Sequence, residues 1–232
     1  MAKKQFFLIV DTETTIDDTV CDFGAVVVDK QGNIHDQLAV LVKGHFDCKE
    51  LFHDKQKAGL WGTESLKRRR ANYNQMLNNG LRVLANVQAI NNWLVDVRIK
   101  YDPELTAYNL AFDTEKCFKT SIILDHFQKR FCLWYAAVGN ICHQKKYRQF
   151  VVENHLFNAP TELGNMSYQT NAEAVAGYLA GNMTKEPHTA LEDAIDYELP
   201  ILHYIVNKKN WRDNIKAYNW RNFQIRDWFV AK

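Results

Sequence analysis

The sequence predicts an α/β domain, a mixed sheet that is antiparallel at one side, parallel at the other, and covered by helices. Three observations predict it. A run of five apolar residues, Phe6-Phe7-Leu8-Ile9-Val10, reads as a buried strand too short for an ordinary helix. Two β-rich runs follow it, joined by a turn signal. In the second half of the chain short apolar runs alternate with segments of helical period, which calls for crossover connections and parallel pairing. The chain of 232 residues is long enough to bury a proper core, and 47% hydrophobic with 24% charged residues is the composition of a soluble globular protein. A net charge of +2 is too small to advertise a polyanionic partner, so local clusters carry more information than the total.

The first strand runs straight into Asp11-Thr12-Glu13-Thr14. Alternation along an extended chain sends Asp11 and Glu13 to one face, about 7 Å apart. Two acids there repel one another unless a cation sits between them, and a hard divalent ion such as Mg²⁺ prefers carboxylate oxygen. The plainer alternative is a strand leading into a polar turn capped by Asp and Thr. Cys21 to Asp29 and Ile34 to Val42, joined through Gly32-Asn33, then form a hairpin and complete a three-stranded meander.

From Gly44 to about Gly80 the pattern weakens. Lys55, Lys57 and the run Lys67-Arg68-Arg69-Arg70 outnumber Asp54 and Glu64 by four charges, which suits a solvated helix face or a phosphate-contacting one. Leu84, Val87, Ile90, Leu94 and Val97 recur at three and four, predicting an amphipathic helix between Leu81 and Ile99 that Pro103 stops. A short strand, Leu105 to Tyr108, leads into Asn109-Leu110-Ala111-Phe112-Asp113 and a helical pattern to about Gln128; Phe131 to Tyr135 reads as another strand. A helix from about Asn140 to His155 follows, then an irregular stretch with Pro160 and Gly164. Thr170 or Asn171 caps a short helix that ends near Gly181, with Glu173 placed for a capping box. Pro187 opens the last helix, His188-Thr189-Ala190-Leu191-Glu192-Asp193 onward, where Leu191, Ile195, Leu199 and Leu202 make the core stripe. Asp193 points about 160° away from Leu191 and Ile195, free to face a cleft, and Pro200 is expected to kink or end the helix near Leu199.

From Lys208 to Lys232 six aromatic residues interleave with seven basic ones against Asp213 and Asp227. Exposed, such rings would stack on single strands; the stronger expectation is that most of them pack the tail onto the body. Five cysteines, at 21, 48, 117, 132 and 142, form no C-x-x-C pair and suit free thiols in a reducing cytoplasm. Neither His45 with Cys48 and His53 nor Cys142 with His143 has the spacing of a structural zinc site. There is no transmembrane run, and Met1-Ala2-Lys3-Lys4 before one short strand does not read as a signal peptide.

Three acidic sites stand in order along the chain, Asp11 with Glu13, then Asp113, then Asp193, with His188 five residues before the last. Converging carboxylates need cations, and two divalent ions would balance four of them. Asp11-x-Glu13-Thr14, Asn109-x-x-Phe112-Asp113 and His188-x-Ala190-x-x-Asp193 resemble the three motifs of the DEDD superfamily of 3′–5′ exonucleases. The His five residues before the last Asp points to the DEDDh branch, which holds proofreading exonuclease subunits and ribonuclease T. Ser167-Tyr168-Gln169-Thr170 and the chain's small size resemble bacteriophage members, in which case the compartment is the host cytoplasm.

The resemblance covers Phe6 to Leu202. It implies a ribonuclease H-like fold with a five-stranded mixed sheet, residues 1–207 forming the exonuclease domain with a basic insertion at about 44–80, and 208–232 a basic-aromatic tail packed on it. It implies Mg²⁺ as cofactor, two ions, with Mn²⁺ as substitute, held by Asp11, Glu13, Asp113 and Asp193, and His188 as general base. The implied reaction is metal-dependent release of 5′-mononucleotides from the 3′ ends of single-stranded nucleic acid, DNA rather than RNA, with a replication protein as a further partner and no membrane. A module of the same fold that binds nucleic acid or a polymerase without cutting is the alternative, and has no need of His188. Thr15-Ile16-Asp17 departs from the Gly-Leu that many relatives carry where the terminal nucleotide is seated.

Overall fold

The structure is a computed structural model and describes residues 4–57 and 59–225. The opening apolar run forms β1 (Phe6–Thr14), paired antiparallel with β2 (Val20–Asp29), which pairs antiparallel with β3 (Ile34–Val42). Three short strands extend this meander in parallel: β4 (Val83–Ala85) on β3, β5 (Glu104–Ala107) on β1, and β6 (Arg130–Cys132) on β5. The sheet order is therefore β4-β3-β2-β1-β5-β6. The expected mixed sheet flanked by helices is present, with one strand more than the five expected.

The helices are α1 (Leu66–Asn78), α2 (Val87–Tyr101), α3 (Leu110–Lys119), α4 (Leu133–Ala137), α5 (Lys145–Glu153), α6 (Ala172–Ala180), α7 (Ala190–Asp193) and α8 (Leu199–Val206). Period-two alternation in β1 divides them into two layers. Phe7 and Ile9 enter one core with Leu133, Val151, Val175, Leu191 and Leu202; Leu8 and Val10 enter the other with Ile90, Leu94, Val97 and Cys117. The same alternation carries Asp11 and Glu13 to the side of Phe7 and Ile9, where α7 lies. A smaller third cluster of Cys21, Leu41, Phe46, Leu51, Tyr73 and Met76 fixes α1 and the loop before it to the end of the sheet.

Several boundaries differ from the expectation for physical reasons. Val83-Leu84-Ala85 pairs as an edge strand instead of opening a helix, and Asn86 then caps α2 by accepting the Ala89 N–H at 2.8 Å. The helical pattern after Asp113 stops at Lys119, not Gln128, and the strand at Phe131 ends with Cys132, because Leu133-Trp134-Tyr135 turns into α4. A wide π-type turn, Val138–Cys142, separates α4 from α5. Asn171, rather than Thr170, caps α6, and Gly181 ends it at φ 75°. Pro200 does not end the last helix: a π-type turn, Ala194–Glu198, precedes it and absorbs the missing N–H, so the helix runs on to Val206.

In the tail Trp211 and Phe223 are buried in the first core, Tyr218 stacks between Trp134 and Phe223, and Arg212 pairs with Glu104 of β5 at 2.6 Å. Trp220 is partly exposed. Arg226, Asp227, Trp228, Phe229 and Lys232 lie outside the described residues. Among the described residues no helix is long and apolar enough to cross a membrane.

Candidate active site

Asp11 and Glu13 reach the site as the last inward-facing positions of β1, just before a register shift at Glu13/Thr14 that bends the strand end. The N-terminus of α7 crosses directly above them. That approach requires the glycine opposite Asp11 in β2: a Cβ on Gly24 would lie 2.3 Å from the carbonyl carbon of Ala190. His188 precedes α7 with φ 56°, a left-handed conformation uncommon for a residue with a Cβ, and Asp193 ends its single turn. Asp113 sits in the first turn of α3, which starts after Asn109 at φ 78°.

These side chains meet. Asp11, Glu13, Asp113, His188 and Asp193 all line one cleft of about 320 Å³. Ligand atoms of Glu13, His188 and Asp193 lie within 4.8 Å of one another. Asp113 is buried and accepts the Thr12 hydroxyl at 2.8 Å. One oxygen of Asp193, Oδ1, is buried with no hydrogen-bond partner among the described residues.

The electrostatics follow from this crowding. Burial, and then repulsion from Asp113, Glu198, Glu13 and Asp193, holds the Asp11 carboxyl well above the usual carboxylate range. Glu13 is raised by burial and by Asp193, Asp22 and Glu186, with Arg69 opposing. Burial pushes Asp113 up to about 7 against the Thr12 hydrogen bond, and Asp193 up to about 8 with help from Glu186. His188 moves the other way, to about 4, through burial and the nearby cations Lys185 and Arg69. Its ring packs edge-on to Trp61 at 4.8 Å between centroids, and its Nδ1 lies 4.0 Å from the Glu186 carboxylate. A buried carboxylate oxygen without a donor, amid acids that resist ionising together, is an environment that fits a hard divalent cation. Among the described residues neither the His45, Cys48 and His53 group nor Cys142 with His143 gathers comparable donors.

Other groups that line the cleft, and one buried carboxylate behind it, Glu198, carried little signal in the sequence. Glu186 borders the cleft two residues before His188. Glu198 is buried, accepts the Tyr108 N–H at 3.0 Å through Oε1, and leaves Oε2 without a partner among the described residues. A carboxylate in the apolar run of the last helix was its one visible mark. Phe52 and Trp61 come from the 44–80 segment and face Phe112 of α3 around the cleft. Arg69 donates to the Phe52 carbonyl at 2.5 Å and lies over the Trp61 ring at 5.2 Å, while Arg70 donates to the carbonyls of Phe46 and Lys49. Half of the basic run therefore turns inward to hold the segment together. Thr15 and Asp17 are spent on a turn with Thr19 and Lys49, and the 15–17 stretch does not line the cleft.

No protein-family model matches the chain, and no curated protein matches it in sequence. In structure it is similar to E. coli exonuclease I in complex with a dT13 oligonucleotide, with a TM-score of 0.48 and 15% identity over 90% of this chain and 42% of that one. It is similar also to exonuclease I bound to the inhibitor BCBP, with a TM-score of 0.46 and 13% identity over 91% of this chain and 42% of that one. For E. coli exonuclease I with a dA16 oligonucleotide the TM-score is 0.43 and the identity 15%, over 87% and 40%. The chain thus spans less than half the length of these proteins.

Proposed function

We propose that this chain is a divalent-metal-dependent 3′–5′ exonuclease of the DEDDh type and ribonuclease H-like fold, releasing 5′-mononucleotides from single-stranded nucleic acid, DNA in preference to RNA. The observation that carries the reading is the convergence of Asp11 and Glu13 from β1, Asp113 from α3, Asp193 from α7 and His188 from the loop before α7 on one cleft. Asp11, Glu13, Asp113 and Asp193 would hold two Mg²⁺ ions, with Mn²⁺ as substitute. Bound there, the ions supply the neutralisation of charge on the phosphoryl group and the acidification of water that phosphodiester hydrolysis needs.

The chain's own residues supply the rest. His188, neutral at pH 7 because it titrates near 4, accepts the proton of the attacking water at Nε2 while Nδ1 faces Glu186. Phe52, Trp61 and Phe112 offer aromatic faces and edges to the terminal nucleotide, contacts that tolerate any base. Thr12 holds Asp113 in place through its hydroxyl. Attack in line with the bond to the departing 3′-oxygen frees the last nucleotide with its 5′-phosphate and leaves a new 3′ end.

The test is digestion of 5′-labelled single-stranded DNA and matching RNA with Mg²⁺, with Mn²⁺ and with EDTA, using Asp11→Ala as control. A ladder that shortens from the 3′ end, needs metal and is absent in the variant is the expected result, with the faster strand giving the sugar preference. Binding of both strands without cleavage by the purified protein would return the chain to the non-catalytic binding module.

A further inference from the structure

Beside the cleft lies a second depression, a groove of about 590 Å³ walled on one side by α1 and on the other by the loop that leads to His188. Glu186 lines both, so the groove begins where the cleft ends. On the helix wall Arg68, Asn72 and Gln75 are exposed and share one stripe, spaced four and three residues apart. The stripe runs about 10 Å at the helical rise. Lys185 faces it from the loop wall, and Arg69 closes the end nearest the cleft. Among the described residues neither Arg68 nor Lys185 has an ion-pair or hydrogen-bond partner, whereas Arg69 and Arg70 of the same basic run are engaged with backbone carbonyls. Glu186 is the one carboxylate among the lining residues.

We propose that this groove binds the sugar-phosphate backbone of a single strand upstream of the bond being cut, with Arg68 and Lys185 each contacting a phosphate and Asn72 and Gln75 adding amide hydrogen bonds. The inference rests on the exonuclease reading for its direction, since a 3′ end seated in the cleft leaves its 5′ side to run past Glu186. A compact anion would be held by buried, convergent donors. Two free cations on opposite walls and a linear stripe of amides suit a polymer with repeating charge. The 44–80 segment thereby acquires a role: it supplies α1 as the wall along which the strand is drawn.

The test reads binding and length dependence in the double variant Arg68→Gln/Lys185→Gln. Both residues are exposed, and the charge-conserving pair Arg68→Lys/Lys185→Arg reports any loss due to folding. Fluorescence anisotropy of a single-stranded dodecanucleotide in EDTA, across a range of NaCl, gives the slope of log K against log salt. Removing two phosphate contacts should flatten it by about 1.4, at roughly 0.7 per contact, with affinity about tenfold weaker at low salt. With Mg²⁺, kcat/KM should fall further on the dodecanucleotide than on a dinucleotide too short to fill the groove, and the smaller loss on the dinucleotide reports the removal of Lys185 from the surroundings of His188. An unchanged slope overturns the groove, as does an equal loss at both lengths. Failure of the wild-type protein to cut either substrate would defeat the exonuclease reading alone, and the anisotropy slope would still decide the groove.

Discussion

His188 and Asp113 show how differently two residues of one cleft depend on their surroundings. His188 is kept neutral by burial and by Lys185 and Arg69, so its imidazole resonances, assigned by difference from His188→Ala, should titrate near pH 4 and not near the ordinary imidazole value of about 6.5. Titration at pH 6 to 7 would mean that the cleft does not hold the ring neutral. Replacing His188 by Ala should cost roughly 10²–10⁴ in rate while the oligonucleotide dissociation constant stays put. Asp113→Asn should instead abolish cleavage, with the far-ultraviolet spectrum of the wild type retained, since Asn keeps the shape and the Thr12 hydrogen bond but not the charge. Near-normal turnover in that variant would defeat its assignment as a metal ligand. That these residues would meet in one cleft was legible in the sequence, because the chemistry proposed for them dictates residue type and spacing. Glu198 was not: it stands in an apolar helical run where a plain 100° step turns it away from Asp193, and the wide turn at Ala194–Glu198 cannot be read from the residues alone.

At the scale of elements, the site depends on how α7 is pinned to the sheet. Arg82 has a fully buried side chain and donates through Nε and Nη2 to Asp22 of β2, at 2.9 and 3.2 Å, and through Nη1 and Nη2 to Glu192 of α7, at 3.0 and 2.5 Å. Asp22 also accepts the Ala190 N–H at 3.0 Å, so one ion-pair network ties strand to helix beside Asp193. Arg82→Met leaves Asp22 buried without its cation and should cost about 3–5 kcal/mol in chemical denaturation, a loss that Asp22→Asn in the same chain should partly relieve. Gly24→Ala acts on the same joint by sterics: with the Cβ 2.3 Å from the Ala190 backbone, α7 must move, at a cost of about 1–3 kcal/mol and with loss of cleavage, while the Asp11 to Asp193 set stays chemically intact. Wild-type melting and activity in Gly24→Ala would show that the approach is not needed. Nothing in the sequence announced this network, because Arg82 pairs with residues 60 and 110 positions away and its local context is unremarkable. The same long-range pairing explains the misplaced start of α2. Val83-Leu84-Ala85 fits a helical period, but β3 offers open hydrogen-bonding groups, and three residues of ladder prevail. The meander of β1 to β3 was readable for the opposite reason, since its pairing is local and its turn sits between two long apolar runs.

For the whole molecule, the cleft is a store of unfavourable charge, and this makes folding stability depend on pH and on cations together. In an unfolded chain Asp193 titrates near the ordinary Asp value of about 3.9, whereas in the fold burial and Glu186 raise it to about 8, and Asp113 rises to about 7. Between pH 4 and 8 the folded state therefore holds protons that the unfolded chain has released, so the free energy of unfolding decreases as pH rises. The contribution is fully present below pH 4 and is lost by pH 8. In EDTA the melting temperature should accordingly fall across this window. Asp193→Asn, which removes one such charge at little change of volume, should melt above the wild type at pH 8 by the order of 2 kcal/mol, roughly 4–8 °C for a chain of this length. The difference should shrink toward pH 4, where both carry a neutral side chain at 193. Adding Mg²⁺ at pH 8 should raise the wild type and leave Asp193→Asn nearly unmoved, because an ion stabilises the fold only to the extent that the fold holds it. Calorimetry in the two buffers decides the matter: equal melting temperatures at pH 8 in EDTA, or equal responses to Mg²⁺, would mean that Asp193 is not strained by the cleft and that its carboxylate is not where the cation binds.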